Sequence, residues 1–263
     1  MKQNYKFSNK PIGVFDSGVG GLSILKELKA LMPNDDFIYL GDTKNLPYGS
    51  KTKEEIITYG RNTVNFFKSK GVETIVMACN TSSALAYDTL VQEFPEMKIF
   101  SLIASCAGEI AKYNKLAIMA TEGTVKSGKY EEEIKKHNIS AKITSIACHD
   151  FVKIVEDSLY NDEKSIEYVH TILADTLKEN PEKIVLGCTH YPYLIPIFTK
   201  KIDVNIFINP ANIFAKVVKN YFKNPINTEQ KGKCDFYVTS NPAAFIKNAA
   251  VFYKIEEEVK LVH

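Results

Sequence analysis

Two short segments of this chain repeat, and each of them ends in a cysteine. Residues 73–79 read ETIVMAC and residues 182–188 read EKIVLGC, so that four of the seven positions agree. A short run of β-branched and apolar residues is typical of a buried strand. Because similar segments that recur along a chain indicate repeated structural units, the chain is predicted to contain two similar lobes.

A second pair of related segments precedes the two cysteine strands. Residues 12–28 (IGVFDSGVGGLSILKEL) and 116–134 (LAIMATEGTVKSGKYEEEI) each predict a strand, a glycine-bearing turn and a helix. The interval from Asp16 to Cys79 is nearly the same as that from Thr121 to Cys188. Alternating strands and helices predict an α/β fold with two similar domains, each a mainly parallel sheet flanked by helices.

The composition narrows the class of protein. The chain has 263 residues, 45% hydrophobic and 24% charged, which is typical of a soluble chain with one large or two modest domains. The 33 basic residues nearly balance the 31 acidic ones and form no stripe, so we expect no nucleic-acid partner. No apolar run approaches the ~20 residues of a membrane span. The N-terminal MKQNYKFSNK lacks the hydrophobic region of a secretory signal, so we expect a cytoplasmic protein that makes no membrane contact.

The cysteines are odd in number and widely spaced along the chain. They are Cys79, Cys106, Cys148, Cys188 and Cys234. Because they lack the short paired spacings of zinc and redox motifs, we expect reduced thiols and no metal site. Cys106, Cys148 and Cys234 are expected to be small core residues, whereas the repeat singles out Cys79 and Cys188.

The two repeated cysteines predict one shared site. In open parallel α/β sheets, ligands bind beyond the carboxyl ends of the strands, so two facing lobes would hold a ligand between two thiols. Each cysteine also precedes a predicted helix, with Thr81 or Ser82 as the N-cap of the first helix and Pro192 as the first residue of the second. Unpaired N–H groups at helix N-termini favour a thiolate and bind carboxylates.

The basic residues of the chain include a single arginine, Arg61. An acidic ligand must therefore be held mostly without guanidinium groups. We expect a small dicarboxylate to be held by backbone N–H groups and by side-chain hydroxyls. These hydroxyls belong to Ser17, Thr81, Thr121 and Thr189.

Two facing thiols suit the inversion of a carbon that bears a hydrogen. Such an inversion removes a proton from one face and returns one to the other, so an acid and a base must stand on opposite sides. A free cysteine has a pKa of ~8.5, and its surroundings can hold one thiol ionised and the other protonated. Asp16 and His190 are candidates for this tuning, one on each side.

Five motifs follow one another over roughly residues 11–200: VFDSGVGGLS, GDTKNLPYGSK, ACNTSSA, ATEGTVKSGKY and LGCTHYP. In this order they resemble the sequence signatures of glutamate racemases, a family within the aspartate/glutamate racemase superfamily. The resemblance implies a homodimeric enzyme that uses no cofactor, interconverts L- and D-glutamate, and supplies D-glutamate for peptidoglycan. It also implies two domains related by a pseudo-twofold axis, residues 1–98 plus 207–263 and residues 99–206, with the active site between them.

The resemblance also implies roles for single residues. Cys79 would remove the proton from D-glutamate with the support of Asp16, and Cys188 would act on L-glutamate with the support of His190. Asp42 would lie behind the substrate-binding residues. The residues that would bind substrate are Asp16, Ser17, Pro47, Tyr48, Gly49, Asn80, Thr81, Thr121, Thr189 and His190.

The C-terminal part departs from the family pattern. Asn209 stands where the family usually has Asp or Ser, and Ser240-Asn241 stands where Gly-Asp is common. Because asparagine also caps helices, we expect little catalytic consequence.

Three other functions stay open from the sequence. A racemase of aspartate or another small acidic amino acid is the nearest, although aspartate-type relatives tend to carry Glu where this chain has His190. A cysteine hydrolase with Cys188 as nucleophile would leave Cys79 and the repeat unexplained. A module that binds an amino acid without catalysis would exchange no α-hydrogen with solvent.

Overall fold

The computed structural model describes residues 10–222, 231–250 and 252–262. Most of the N-terminal stretch that was searched for a secretory signal, residues 1–9, lies outside these ranges. The strands are β1 Ile12–Asp16, β2 Phe37–Gly41, β3 Thr74–Met77, β4 Lys98–Ser101, β5 Lys115–Ala120, β6 Lys142–Ala147, β7 Lys183–Gly187, β8 Phe207–Ile208, β9 Cys234–Val238 and β10 Val259–Leu261. The α-helices are α1 Leu22–Leu31, α2 Lys53–Ser69, α3 Asn80–Leu85, α4 Tyr87–Glu93, α5 Leu102–Ile110, α6 Glu122–Ser127, α7 Lys129–Lys135, α8 Phe151–Glu156, α9 Glu163–Lys178, α10 Ile195–Phe198, α11 Pro210–Tyr221 and α12 Pro242–Ala249.

The strands form two parallel sheets. The six-stranded sheet has the order β10-β9-β2-β1-β3-β4, and the four-stranded sheet has the order β6-β5-β7-β8. Every pair of neighbouring strands is parallel. The predicted α/β class with two sheets is confirmed.

The repeat in the sequence corresponds to a repeat in topology. The order β2-β1-β3-β4 in the first sheet recurs as β6-β5-β7-β8 in the second, and β9 and β10 extend the first sheet. Phe15 pairs with Met77, so β1 and β3 deliver Asp16 and Cys79 to one edge. Ala120 pairs with Gly187, so β5 and β7 deliver the following residues, Thr121 and Cys188, to the equivalent edge.

The ends of the two sheets lie close to the predicted domain boundaries. Strand β4, which begins at Lys98, belongs to the first sheet, and β8, which ends at Ile208, belongs to the second. The sheets therefore divide after Ser101 and after Ile208 instead of at residues 98 and 207. The division into domains itself stays a prediction.

Several helix boundaries differ from the sequence expectation. The single helix expected after Cys79 is two helices, α3 and α4, which meet at Ala86. The predicted strand KIFSLI ends at Ser101, because the Ser101 hydroxyl accepts a hydrogen bond from Ala104 N and caps α5. In the second lobe, α6 begins directly after Thr121, and Gly128, in the left-handed conformation at φ 64, separates it from α7. The expected glycine-bearing turn between strand and helix is therefore absent from this described segment.

The predicted helix caps beside the cysteines were wrong. Cys79 itself is the N-cap of α3, since Ser83 N donates to the Cys79 carbonyl at 2.9 Å and Thr81 and Ser82 already lie inside the helix. Pro192 is the second residue of a short 3-10 helix, Tyr191–Leu194, and not the first residue of an α-helix. Cys79 and His190 therefore occupy the N-cap positions of the helices that follow β3 and β7.

The hydrophobic core joins the two sheets. One continuous cluster of buried side chains includes Val14 and Val76 of the first sheet and Leu116 and Ile184 of the second. Helix α11 contacts α1, α5 and strand β7, so it lies between the elements of the two lobes. Among the described helices, none has both the length and the apolar character that crossing a bilayer requires.

Candidate active site

A cavity of about 130 Å³ lies between the carboxyl edges of the two sheets. It brings together all of the predicted substrate-binding residues except Asp16. Its lining consists of Ser17, Leu46, Pro47, Tyr48, Gly49, Ser50, Cys79, Asn80, Thr81, Thr121, Glu122, Cys148, His149, Val152, Cys188, Thr189 and His190. Both repeated thiols therefore border one space, each delivered by the equivalent strand of its sheet.

The first thiol, Cys79, lies in surroundings that disfavour its ionised form. It is 5% exposed, and its Sγ lies 3.9 Å from Ser17 Oγ. Burial raises the pKa of the Cys79 thiol to about 12, and the negative charge of Asp16 adds to this rise. Cys79 is therefore a protonated thiol at neutral pH.

Asp16 lies behind the cavity wall and is fully buried. Gly18 N donates to its Oδ1 at 2.8 Å, whereas its Oδ2 has no hydrogen-bond partner among the described residues. Burial raises the pKa of this carboxyl, and the charge of His190 opposes the rise. Among the described contacts no hydrogen bond joins Asp16 to Cys79, so Asp16 acts on this thiol through its charge.

The second thiol, Cys188, lies next to a histidine. Its Sγ is 3.7 Å from His190 Nδ1, and His190 Nε2 is 3.1 Å from Glu156 Oε1. Burial alone would lower the pKa of His190, but its hydrogen bonds to Cys188 and Glu156 and their negative charges raise it to about 10. His190 is therefore an imidazolium at neutral pH, and a thiolate at Cys188 would accept its hydrogen bond.

Glu156 was not predicted from the sequence. This residue ends α8 and is 34 positions away from His190. No local motif contains both residues, so spacing gave no signal for the pair. Cys148 was predicted to be a core residue only; it is buried, but it also borders the cavity as a third thiol.

The segment from Leu46 to Gly49 forms one wall of the cavity. The hydroxyl of Tyr48 donates to Asp42 Oδ2 at 2.5 Å, and Thr239 Oγ1 donates to Asp42 Oδ1 at 2.7 Å. The Tyr48 hydroxyl is therefore hydrogen-bonded to Asp42, behind the cavity wall. Asp42, predicted to lie behind the substrate-binding residues, holds Tyr48 in this position.

The C-terminal departures from the family pattern have the expected structural effect. Asn209 Oδ1 accepts from Ala211 N at 3.0 Å and caps α11, and Asn241 Oδ1 accepts from Ala244 N at 3.1 Å and caps α12. The hydroxyl of Thr43 donates to Ser240 O at 2.7 Å. The segment after β9 is thereby fixed to the loop that leads to the cavity wall.

Hydroxyl groups meet across the two lobes at the cavity. Thr81 Oγ1 lies 3.0 Å from Thr121 Oγ1, and Thr124 Oγ1 lies 3.0 Å from Thr121 Oγ1. The described lining contains no lysine or arginine, and Arg61, the single arginine of the chain, pairs with Glu93 at 2.6 Å on the surface. Hydroxyls, amides, the His149 side chain and the His190 imidazolium are therefore the groups available to hold an anion.

The chain is similar to known proteins over most of its length. The family model for Asp/Glu/hydantoin racemases matches residues 21–218. The chain belongs to this family. A glutamate racemase from Carboxydothermus hydrogenoformans is 37% identical, with 92% of this chain and 91% of the relative covered. One from Aquifex aeolicus is 38% identical, with 87% and 88% covered.

Solved structures of the family share the whole fold. The crystal structure of glutamate racemase from Francisella tularensis in complex with D-glutamate matches with a TM-score of 0.90 at 31% identity, covering 97% of this chain and 98% of that one. The resemblance stated from the motifs is confirmed, and with it the classification of this chain as an amino-acid racemase, an isomerase.

Proposed function

We propose that this racemase interconverts L- and D-glutamate by a two-base mechanism in which Cys79 and Cys188 exchange protons with Cα. The observation that carries the proposal is that the two repeated thiols border one cavity from opposite sheets. Inversion needs an acid and a base on opposite faces of the carbon, and this placement supplies them.

The unlike surroundings of the thiols support a direction for each. With L-glutamate, a Cys188 thiolate removes the α-proton, and the electron pair left at Cα is delocalised into the α-carboxylate. The protonated Cys79 then delivers its proton to the opposite face, which gives D-glutamate and a Cys79 thiolate. D-glutamate runs the same steps in reverse, with Cys79 as base and Cys188 as acid.

Neighbouring residues would prepare each thiol for its role. The charge of Asp16 favours the protonated form of Cys79, and the His190 imidazolium can donate to a Cys188 thiolate. The substrate carboxylates would be held by the hydroxyls of Ser17, Thr81, Thr121 and Thr189, by the Asn80 amide, and by backbone N–H groups near Gly49. All of these residues border the cavity.

The relatives favour glutamate over the alternative substrates. Proteins named glutamate racemase align at 37% and 38% identity over most of this chain, and the Francisella tularensis structure holds D-glutamate. Aspartate or another small acidic amino acid is the alternative substrate. We further propose that the enzyme needs no cofactor, that it works as a cytoplasmic homodimer, and that its D-glutamate serves peptidoglycan synthesis.

Circular dichroism of purified protein mixed with L-glutamate, and separately with L-aspartate, tests the proposal. We expect the signal of L-glutamate to decay to zero without any added cofactor, whereas the signal of L-aspartate persists. Decay with aspartate alone would overturn the substrate assignment. Glutamate binding without any decay would favour a binding module instead of an enzyme.

A further inference from the structure

The motif ATEGTVKSGKY ends in two residues, Lys129 and Tyr130, that the proposed mechanism does not use. Tyr130 lies in the first turn of α7 and is 2% exposed. Its hydroxyl donates to Asn80 Oδ1 at 2.7 Å. Tyr130 belongs to the second lobe and Asn80, which borders the cavity, to the first, so this hydrogen bond crosses between lobes.

The neighbouring Lys129 fixes the start of α7 against the first lobe. Its Nζ lies 2.7 Å from Asp88 Oδ2 in α4 and 3.0 Å from Glu133 Oε1 in α7. The lysine side chain is 6% exposed, although its Asp88 partner is largely exposed. This ion pair holds α7 in place, so the ring of Tyr130 has a defined position beside Asn80.

The hydrogen-bonding capacity of the two groups determines how the Asn80 amide is oriented. Asn80 Oδ1 is the one described acceptor for the Tyr130 hydroxyl. Burial raises the pKa of Tyr130 well above its usual value, so the hydroxyl keeps its proton. If the amide were turned over, that proton would be buried without an acceptor, which is costly. The Asn80 amide oxygen therefore faces Tyr130.

The opposite end of the amide is left for a ligand. In the described part of the chain, Asn80 Nδ2 donates to no protein group, and Asn80 borders the cavity. An amide NH₂ donates two hydrogen bonds and accepts none, so it suits a carboxylate oxygen.

We propose that Tyr130 is a positioning residue, which holds the Asn80 amide with its NH₂ group toward the cavity as a donor to a substrate carboxylate. This inference rests on the proposed function, since it takes the ligand to be glutamate. It gives the end of the ATEGTVKSGKY motif a role in substrate binding from the opposite lobe.

The variant Tyr130→Phe tests the inference, because it removes the hydroxyl and keeps the ring. Without the Tyr130 donor the amide can turn over and present its oxygen to the carboxylate. We expect the KM and the Kd for glutamate to rise roughly 5- to 30-fold, and kcat to change less than KM. In an Asn80→Ala background the same Tyr130 change should alter KM and Kd by less than about twofold, since Tyr130 acts through Asn80.

Tyr160→Phe is the matched control. The Tyr160 hydroxyl donates to the Val155 carbonyl at 3.2 Å, and Tyr160 does not border the cavity. We expect this variant to leave KM and Kd unchanged. An unchanged Kd in Tyr130→Phe would overturn the inference, as would an equal rise in Kd with and without the Asn80 side chain.

The two proposals can fail separately. Absence of glutamate inversion by the wild-type protein would count against the proposed function. Isothermal titration with glutamate does not depend on turnover. It therefore still measures the effect of Tyr130→Phe on Kd, with and without the Asn80 side chain, if the wild-type protein binds glutamate but does not invert it. A wild-type protein that binds no glutamate would overturn both.

Discussion

Cys79 and Cys188 end equivalent strands, yet opposite charges surround them. The carboxylate of Asp16 acts on Cys79, whereas the imidazolium of His190 lies 3.7 Å from the Cys188 sulfur. Like charges disfavour an ionised thiol and opposite charges favour it. The repeated strands thus place the two thiols in similar positions, and the charges of Asp16 and His190 make their surroundings different.

The ion pair between His190 and Glu156 predicts a pH-dependent stability difference. The pKa of His190 is raised from 6.5 to about 10 in the folded protein. The protonated His190 therefore stabilises the folded protein fully below about pH 6.5, and this stabilisation is lost as the pH rises through about 10. Glu156→Gln removes one cause of the raised pKa, so we expect it to destabilise the protein by roughly 1–3 kcal/mol at pH 6 and by progressively less toward pH 10.

Thermal unfolding of both proteins from pH 6 to pH 10 measures this difference. Glu122→Gln is the matched control, because Glu122 faces His149 at 3.6 Å and both side chains are exposed. An exposed ion pair contributes little to the free energy of unfolding, so we expect Glu122→Gln to show no comparable trend with pH. A destabilisation by Glu156→Gln that stays constant across the range would show that the charge of His190 does not cause it.

Residues of the site were predictable where a motif contains them. Cys79 and Cys188 follow from the repeat, and Tyr48 follows from its resemblance to the family motif. Glu156 could not be predicted in this way, because its partner His190 is distant in the chain and approaches only when α8 packs beside the end of β7. Tyr48, by contrast, shares the motif GDTKNLPYGSK with its hydrogen-bond partner Asp42, but the motif does not show in which direction the Tyr48 hydroxyl points.

The loop between β1 and α1 lies directly against Thr189 and His190, which follow β7. A Cβ atom added at Gly20 would lie 2.2 Å from Thr189 Oγ1 and 2.7 Å from His190 Nδ1. Only a residue without a side chain allows the loop of the first lobe to approach the end of β7 so closely.

Gly20→Ala should therefore displace Thr189 and His190. We expect kcat/KM for glutamate to fall at least about tenfold, since small misplacements at a reacting centre have large effects. Gly108→Ala is the control, because its Cβ would lie 3.6 Å from His137, an ordinary contact, and alanine suits the interior of α5. Near-normal activity of Gly20→Ala with an unchanged melting temperature would show that the close approach has no catalytic importance.

The sequence predicted the strands better than the helix ends. Buried strands such as β3 and β7 are short apolar runs, which leave a clear signal. The break at Ala86 had no such signal, because the surrounding residues keep a helical pattern on both sides. Leu102 and Ile103 were assigned to the strand that ends at Ser101, because the role of Ser101 as the cap of α5 appears only when β4 turns directly into α5.

The duplicated strand order β2-β1-β3-β4 and β6-β5-β7-β8 places two equivalent sheet edges around one cavity. The repeat of residues 73–79 and 182–188 predicted the two lobes. It could not predict how they face each other, because that depends on packing between distant segments such as α1, α5 and α11. One thiol from each lobe borders the cavity, so the proposed chemistry needs both lobes.

The proposed mechanism needs each of these two thiols in both directions of the reaction. The most direct test measures glutamate racemisation in both directions by Cys79→Ala and Cys188→Ala, with Cys234→Ala as a control outside the cavity. General acid–base groups typically contribute about 10²- to 10⁴-fold in rate, so we expect each of the first two variants to lose at least about a hundredfold in each direction, and the control to keep wild-type rates. Near-normal racemisation by either Cys79→Ala or Cys188→Ala, in either direction, would contradict the two-thiol mechanism.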